Sequence, residues 1–142
     1  MHAFEIRLAS FVRPLFGTAW MRFIAYLGLC AAYLQGGLNK LTDFPGAIGE
    51  MTHFGLSPAP VFAVIVIIME LAASLMILAG FLRWLGALAL GGFTLMATFL
   101  ALRFWELPVG MERFMAANSF FEHLGLVGGF LLVAWLDLGQ KA

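Results

Sequence analysis

Charge and cysteine are what this 142-residue chain has least of. Only 11% of its residues are Asp, Glu, Lys or Arg, against 63% hydrophobic ones, and mean hydropathy is +0.97. A soluble domain carries about a quarter charged residues. So few cannot cover a water-facing surface, and the molecule is expected to sit in the lipid bilayer. The charges sum to zero, which leaves no net positive field for a nucleic-acid partner. Cys30 is the single cysteine, so there is neither an internal disulfide nor a CxxC pair for thiol chemistry or zinc. It reads as a small apolar residue inside a helix.

Long apolar runs are plentiful. A spanning helix needs about 20 mostly apolar residues, and four segments qualify, at about 23–41, 59–80, 84–105 and 117–136. The expected fold is therefore all-α, an integral membrane four-helix bundle over residues 23–142. Residues 1–22 precede it. Phe4, Leu8, Phe11 and Leu15 fall on one helical face there, with Arg7, Ser10 and Arg13 elsewhere. That pattern suits a short helix lying in the membrane interface, shortened or bent by Pro14. The stretch FLRW at 81–84 makes a tight hairpin of the second and third spans.

Counting basic residues sets the sidedness. Arg7, Arg13, Arg22, Arg83 and Lys141 share one side, and Lys40, Arg103 and Arg113 the other. Cytoplasmic loops carry the excess, so both termini are expected in the cytoplasm and the two longer loops outside.

Helical spacing also suggests which face of each span looks inward. Gly28, Ala32, Gln35 and Asn39 share a face of the first span, and Ala87, Gly91, Thr94 and Thr98 a face of the third. Asn118, Glu122, Gly125 and Gly129 do so on the fourth, and Ala63, Glu70 and Ser74 on the second. Small residues let membrane helices approach and polar ones hydrogen-bond between them, so these stripes are expected to form an inward seam.

The carboxylates ask for more. Glu70 lies about 16 Å into its span, near the bilayer midplane. A charge there costs about 2.5–3.5 kcal/mol on insertion scales, so Glu70 should face inward and stay protonated or find a cation. It is either a working group or an interhelical hydrogen bond. Glu122, His123 and Asn118 on the fourth span join Gln35, Asn39 and Lys40 on the first and Arg103 on the third, all toward the outer side. Lys40 and Arg103 also suit the part of snorkelling anchors. The inner half of each span is nearly all Leu, Ile, Val, Ala and Phe. A bis-histidine haem lacks its second ligand, because His2 and His53 lie outside the spans. The segment 42–60 is expected to be either a short amphipathic lid over the outer mouth or a plain interfacial loop.

Four motifs carry a resemblance. They are GGLNK at 36–40, FGLSP at 54–58, MELAASLMILAGFLR at 69–83 and NSFFEH at 118–123. Together they make the chain resemble the DoxX family of small bacterial membrane proteins. The resemblance implies a four-helix bundle in the bacterial inner (plasma) membrane. It further implies a possible role as a subunit of a quinone-linked oxidoreductase, such as thiosulfate:quinone oxidoreductase, or as a partner of redox-stress enzymes. Related four-helix proteins of methylamine utilisation and the vitamin K epoxide reductase type rely on paired cysteines, which this chain lacks.

The leading expectation is a membrane subunit of a quinone-linked redox system, with no intrinsic cofactor or metal and with quinone, or another small apolar ring, as the ligand. Glu70, Glu122 and His123 would exchange protons, while Gln35, Asn39, Lys40, Arg103 and Asn118 bind. The inner half would hold an isoprenoid tail. Two alternatives stand beside it: a small-molecule carrier or proton-coupled permease, and a structural or assembly subunit. A redox-enzyme partner or a second copy of the chain is the expected protein contact.

Overall fold

The computed structural model describes residues 1–142 and is built of helices alone. The first, α1 (His2–Phe16), buries none of its residues and meets α2 (Ala19–Thr42) at a bend of 75°. The α2 helix starts at Thr18, whose hydroxyl accepts the Met21 N–H at 3.1 Å, a standard N-cap. It ends at Asp43, whose carboxylate accepts the Gly46 N–H at 3.1 Å and so opens α3 (Phe44–His53). The α3 helix is the amphipathic alternative for the segment 42–60. It buries Ala47 and Met51 against Ala63 and Val66 of α4 (Ala59–Ala79).

The turn after α4 is as tight as FLRW suggests. Gly80 takes φ 77°, a left-handed C-cap that favours glycine, and Leu82 follows at φ 45°. Next come α5 (Arg83–Ala101), a 3-10 turn at Phe104–Glu106, and α6 (Met111–Lys141), which begins before the expected span and runs 31 residues. Three helical stretches are long and apolar enough to cross a membrane: α4, α5 with its 3-10 turn, and α6. The bent α1–α2 pair makes a fourth if it counts as one span.

Neighbouring helices pack in the order α2, α4, α5, α6, and α2 touches α6 only lightly. At the end carrying the α4–α5 turn the packing is closed. Cys30, Ile77, Ala87, Leu90 and Phe130 are wholly buried there. Gly86 lets α5 lie directly on α4, since a Cβ at that position would stand 2.8 Å from the Ala73 carbonyl oxygen. Asp137 of α6 accepts the Trp84 N–H at 3.1 Å and the Lys141 ammonium at 2.8 Å, while Arg83 Nε donates to the Ile77 carbonyl at 2.8 Å.

Two of the expected seams are where spacing put them. Ala63, Glu70 and Ser74 are buried on α4, and Ala87, Gly91, Thr94 and Thr98 on α5. The other two are corrected. The buried side of α2 is Cys30, Tyr33 and Gly37, so Gln35 and Asn39 are exposed. The buried side of α6 is Phe120, Phe130, Val133, Ala134 and Asp137, so Asn118, Glu122 and Gly125 are exposed. The reason is shape. The small stripe of α5 receives large side chains, with the Phe130 Cβ 3.3 Å from where a Cβ on Gly91 would sit. Two small faces turned together would leave a void, and voids forfeit dispersion contacts. The turn-side half, expected to hold an isoprenoid tail, is occupied by this cluster of buried side chains.

Candidate functional site

At the other end, which carries α3 and the longer loops, the helices spread around a cavity of about 890 Å³. Most of its wall is apolar, including Met51, Phe54, Phe62, Val66, Met69 and Phe93. Its polar groups come from every helix around it: Tyr33 and Lys40 of α2, Glu50 of α3, Glu70 of α4, Thr94 of α5 and His123 of α6.

Glu70 is the buried charge of this set. Its side chain is 8% exposed and Lys40, at 15%, reaches it with Nζ 3.4 Å from Oε1. The same ammonium stands 3.7 Å from Glu50 Oε2, which is partly open. Lys40 thus turns inward and sits between two carboxylates. The glycines of GGLNK make this possible. A Cβ on Gly36 would stand 3.1 Å from Glu70 Oε2, and one on Gly37 would stand 2.7 Å from the Leu71 side chain. The missing Cβ atoms let α2 approach α4 without displacing the Glu70 and Leu71 side chains. Glu70 Oε2 is fully buried and has no hydrogen-bond partner, an unusual condition for a carboxylate oxygen.

The remaining polar groups form two separate pairs, His123 with Thr98 and Tyr33 with Thr94, each with a readable direction. Thr98 Oγ1 donates its one proton to the Thr94 carbonyl at 2.6 Å and lies 3.0 Å from His123 Nδ1. It must therefore accept from Nδ1–H, which makes Nε2 of a neutral ring an acceptor. Thr94 Oγ1 likewise donates to the Leu90 carbonyl at 2.6 Å, so in its hydrogen bond with Tyr33 the phenol is the donor. Two acceptors are left without a donor, Glu70 Oε2 and His123 Nε2. Both residues line the cavity.

Of the residues expected to form a site, the structure brings together Glu70, Lys40 and His123. It does not bring Gln35, Asn39, Asn118 or Glu122 to the cavity, because their faces point outward. Arg103 pairs instead with Glu106 at 3.4 Å. It borders a second cavity of about 450 Å³ with His53 and Glu112, which shares Phe54, Leu100 and Ala101 with the first. Tyr33 and Glu50 were missed. Tyr33, Gly36, Gly37 and Lys40 follow the same 3–4 spacing as Gly28, Ala32, Gln35 and Asn39, on a neighbouring face of α2. Glu50 is legible only once α3 is known to be a helix.

These features define an all-helical membrane protein with a largely apolar cavity in one half and a buried ion pair on its wall. The DoxX family model matches residues 22–103, more than half of the chain, and the chain belongs to the DoxX family. No curated protein and no solved structure matches it. The matched region runs from α2 to just past α5 and includes Tyr33, Lys40, Glu50, Glu70 and Thr94. His123, on α6, lies beyond it.

Proposed function

We propose that the chain is a multi-pass subunit of a quinone-linked redox system in the bacterial inner membrane, with four spans and both termini cytoplasmic. In this reading the cavity holds a quinone-like ring. One observation carries it: Glu70, a buried carboxylate with one oxygen left without a partner, is among the residues that line a largely apolar cavity of about 890 Å³. Small-molecule sites are typically about 300–1,000 Å³, mostly apolar, with a few convergent polar groups.

The chain's own groups can serve either state of such a ring. With Glu70 ionised and His123 neutral, Oε2 and Nε2 accept hydrogen bonds and suit ring hydroxyls. Protonated, the same atoms donate and suit ring carbonyls. Lys40 holds Glu70 in place, and Glu50 links that pair to the loop side. When bound, a quinone would supply reversible two-electron chemistry, with electrons exchanged with a redox-enzyme partner. Gln35, Asn39, Asn118 and Glu122 are costly facing lipid alone. They are the groups such a partner, or a second copy of the chain, would meet.

Equilibrium binding of a short-chain benzoquinone to the purified protein tests the reading. Glu70→Gln and His123→Ala should each weaken it about tenfold, a loss of about 1.4 kcal/mol. Glu122→Gln should leave it unchanged. Wild-type-like binding by a folded Glu70→Gln protein would sink the proposal.

A structural role is the second reading, favoured by the intramolecular Lys40–Glu70 pair. It predicts that replacing both residues by apolar ones leaves assembly and redox phenotype intact.

A further inference from the structure

The cavity does not end inside the molecule. Ile65 of α4 and Met96 of α5 line it, yet they are 50% and 61% exposed on the outer surface. Each lies two residues from buried positions on both sides, Ala63 and Ile67 for one, Thr94 and Thr98 for the other. In a helix of 3.6 residues per turn that places them on roughly the opposite face. A single space bounded by Glu70 and Thr94 within and by Ile65 and Met96 without must pass between α4 and α5.

The seam opens for a local reason. Near the turn, Gly86 sets the two helices in contact with the Ala73 carbonyl. Two turns further along α5, Gly92 is exposed and lines the cavity, and a Cβ there would meet nothing within 4 Å. The helices touch at one end, and toward the other they leave a wedge open at Gly92, beside Phe93 of α5, which packs against the cluster that holds Ala63 and Val66 of α4.

Both helices are apolar enough to cross a membrane, so the opening faces hydrocarbon. The exposed large apolar residues that line it are Ile65, Met96 and Phe99. Below the cavity, Cys30, Ile77, Leu90 and Phe130 are fully buried and packed in one cluster. An apolar tail attached to a ring beside Glu70 is therefore blocked along the axis toward the turn and finds apolar surroundings sideways, through the seam.

We infer that the α4–α5 seam is a lateral portal. Through it the cavity takes a single-ring amphiphile directly from the bilayer, holding the ring against Glu70 and leaving the tail in the seam. This rests on the cavity being a ligand site, as proposed above. A lipid-dissolved ligand reaches such a portal without crossing water, and the portal rejects polar solutes by desolvation.

The test uses the full chain in nanodiscs and a benzoquinone whose decyl-length tail ends in a photoactivatable diazirine, with labelled residues mapped by mass spectrometry. The expected result is labelling at Ile65, Gly92 and Met96 that excess decylubiquinone abolishes. Gly92→Trp fills the open wedge and should cut that labelling about tenfold. Continued protection of buried Cys30 from thiol reagents would show that this variant is folded. Competed labelling at core residues such as Leu34 or Phe130, or at His53 and Arg103, would overturn the portal and leave the ligand site standing. Seam labelling that decylubiquinone does not displace, or that Gly92→Trp does not reduce, would reject the portal as an ordinary lipid contact. No competed labelling anywhere would overturn the ligand site and the portal together.

Discussion

The two ends of the helix packing solve the burial of a carboxylate differently. At the turn end Asp137 is buried with its oxygens accounted for: one accepts the Trp84 N–H and the other the Lys141 ammonium. It ties α6 to the first turn of α5, beside the cluster of fully buried side chains. At the loop end Glu70 is buried with one oxygen on Lys40 and the other on nothing, beside a cavity of about 890 Å³. A satisfied buried charge fixes structure, and its neighbours can close around it. An unsatisfied one is kept at a cost, which makes it the better candidate for function.

Removing one member of the Lys40–Glu70 pair is the most forceful way to probe this contrast. Lys40→Ala strands the Glu70 carboxylate, and losing one partner of a buried pair costs roughly 3–5 kcal/mol. The double variant Lys40→Met, Glu70→Gln removes both charges and should recover most of that. Cys30 is the chain's only thiol and is fully buried at the closed end. Its labelling by a thiol-reactive dye during heating therefore reports unfolding. A Lys40→Ala protein as stable as wild type would mean that the pair is not formed in the membrane.

Two glycines compare the ends directly. Gly86→Ala drives a Cβ to 2.8 Å from the Ala73 carbonyl, a backbone atom with no freedom to move aside. Overpacking of this kind costs about 1–3 kcal/mol, and about 2 is expected. Gly92→Ala meets nothing within 4 Å, so helix propensity decides and a gain of up to about 1 kcal/mol is expected. Equal effects in Cys30 labelling would erase the distinction between a closed and an open seam. A smaller effect is expected from Asp137→Asn, which keeps an acceptor for the Trp84 N–H but loses the charge facing Lys141. About 1 kcal/mol is the expected loss, the usual net worth of one hydrogen bond.

The sequence made the helices easy to find and their rotation hard. Runs such as FAVIVIIMELAASLMILA report length and apolarity, and α4 appears almost where the run lies. Which face turns inward depends on the neighbour. On α5 the small stripe is inward, and on that account α6 must present large residues such as Phe130 to it. A rule that sends small and polar residues inward on every helix therefore fails on α6. It fails on α2 as well, where Tyr33 and the Gly36–Gly37 pair outrank Gln35 and Asn39. Glu70 was legible as a group needing a cation. Lys40 as that cation was not, because the pair joins positions 30 residues apart and depends on helix rotation. Asp137 was missed because it falls one residue past the expected end of the last span.

Gly36 offers the finest test of what the open end is for. Alanine is the better helix former by about 1 kcal/mol, so Gly36→Ala begins with a local gain in α2. The added methyl stands 3.1 Å from Glu70 Oε2 and 3.5 Å from Lys40 Nζ. Both are ends of flexible side chains, and a shift of a few tenths of an ångström relieves the contact. Overall stability should therefore stay within about 0.5 kcal/mol of wild type. The atom that must move is the partnerless oxygen itself. If that oxygen binds a ligand, quinone affinity should fall several-fold, since a hydrogen bond weakens as its geometry is lost. If the Lys40–Glu70 pair serves only to join α2 to α4, the variant should pass every binding and redox assay as wild type does. A stability change without a binding change would likewise favour the purely structural role. Loss of binding at constant stability is the one outcome that only a ligand site explains.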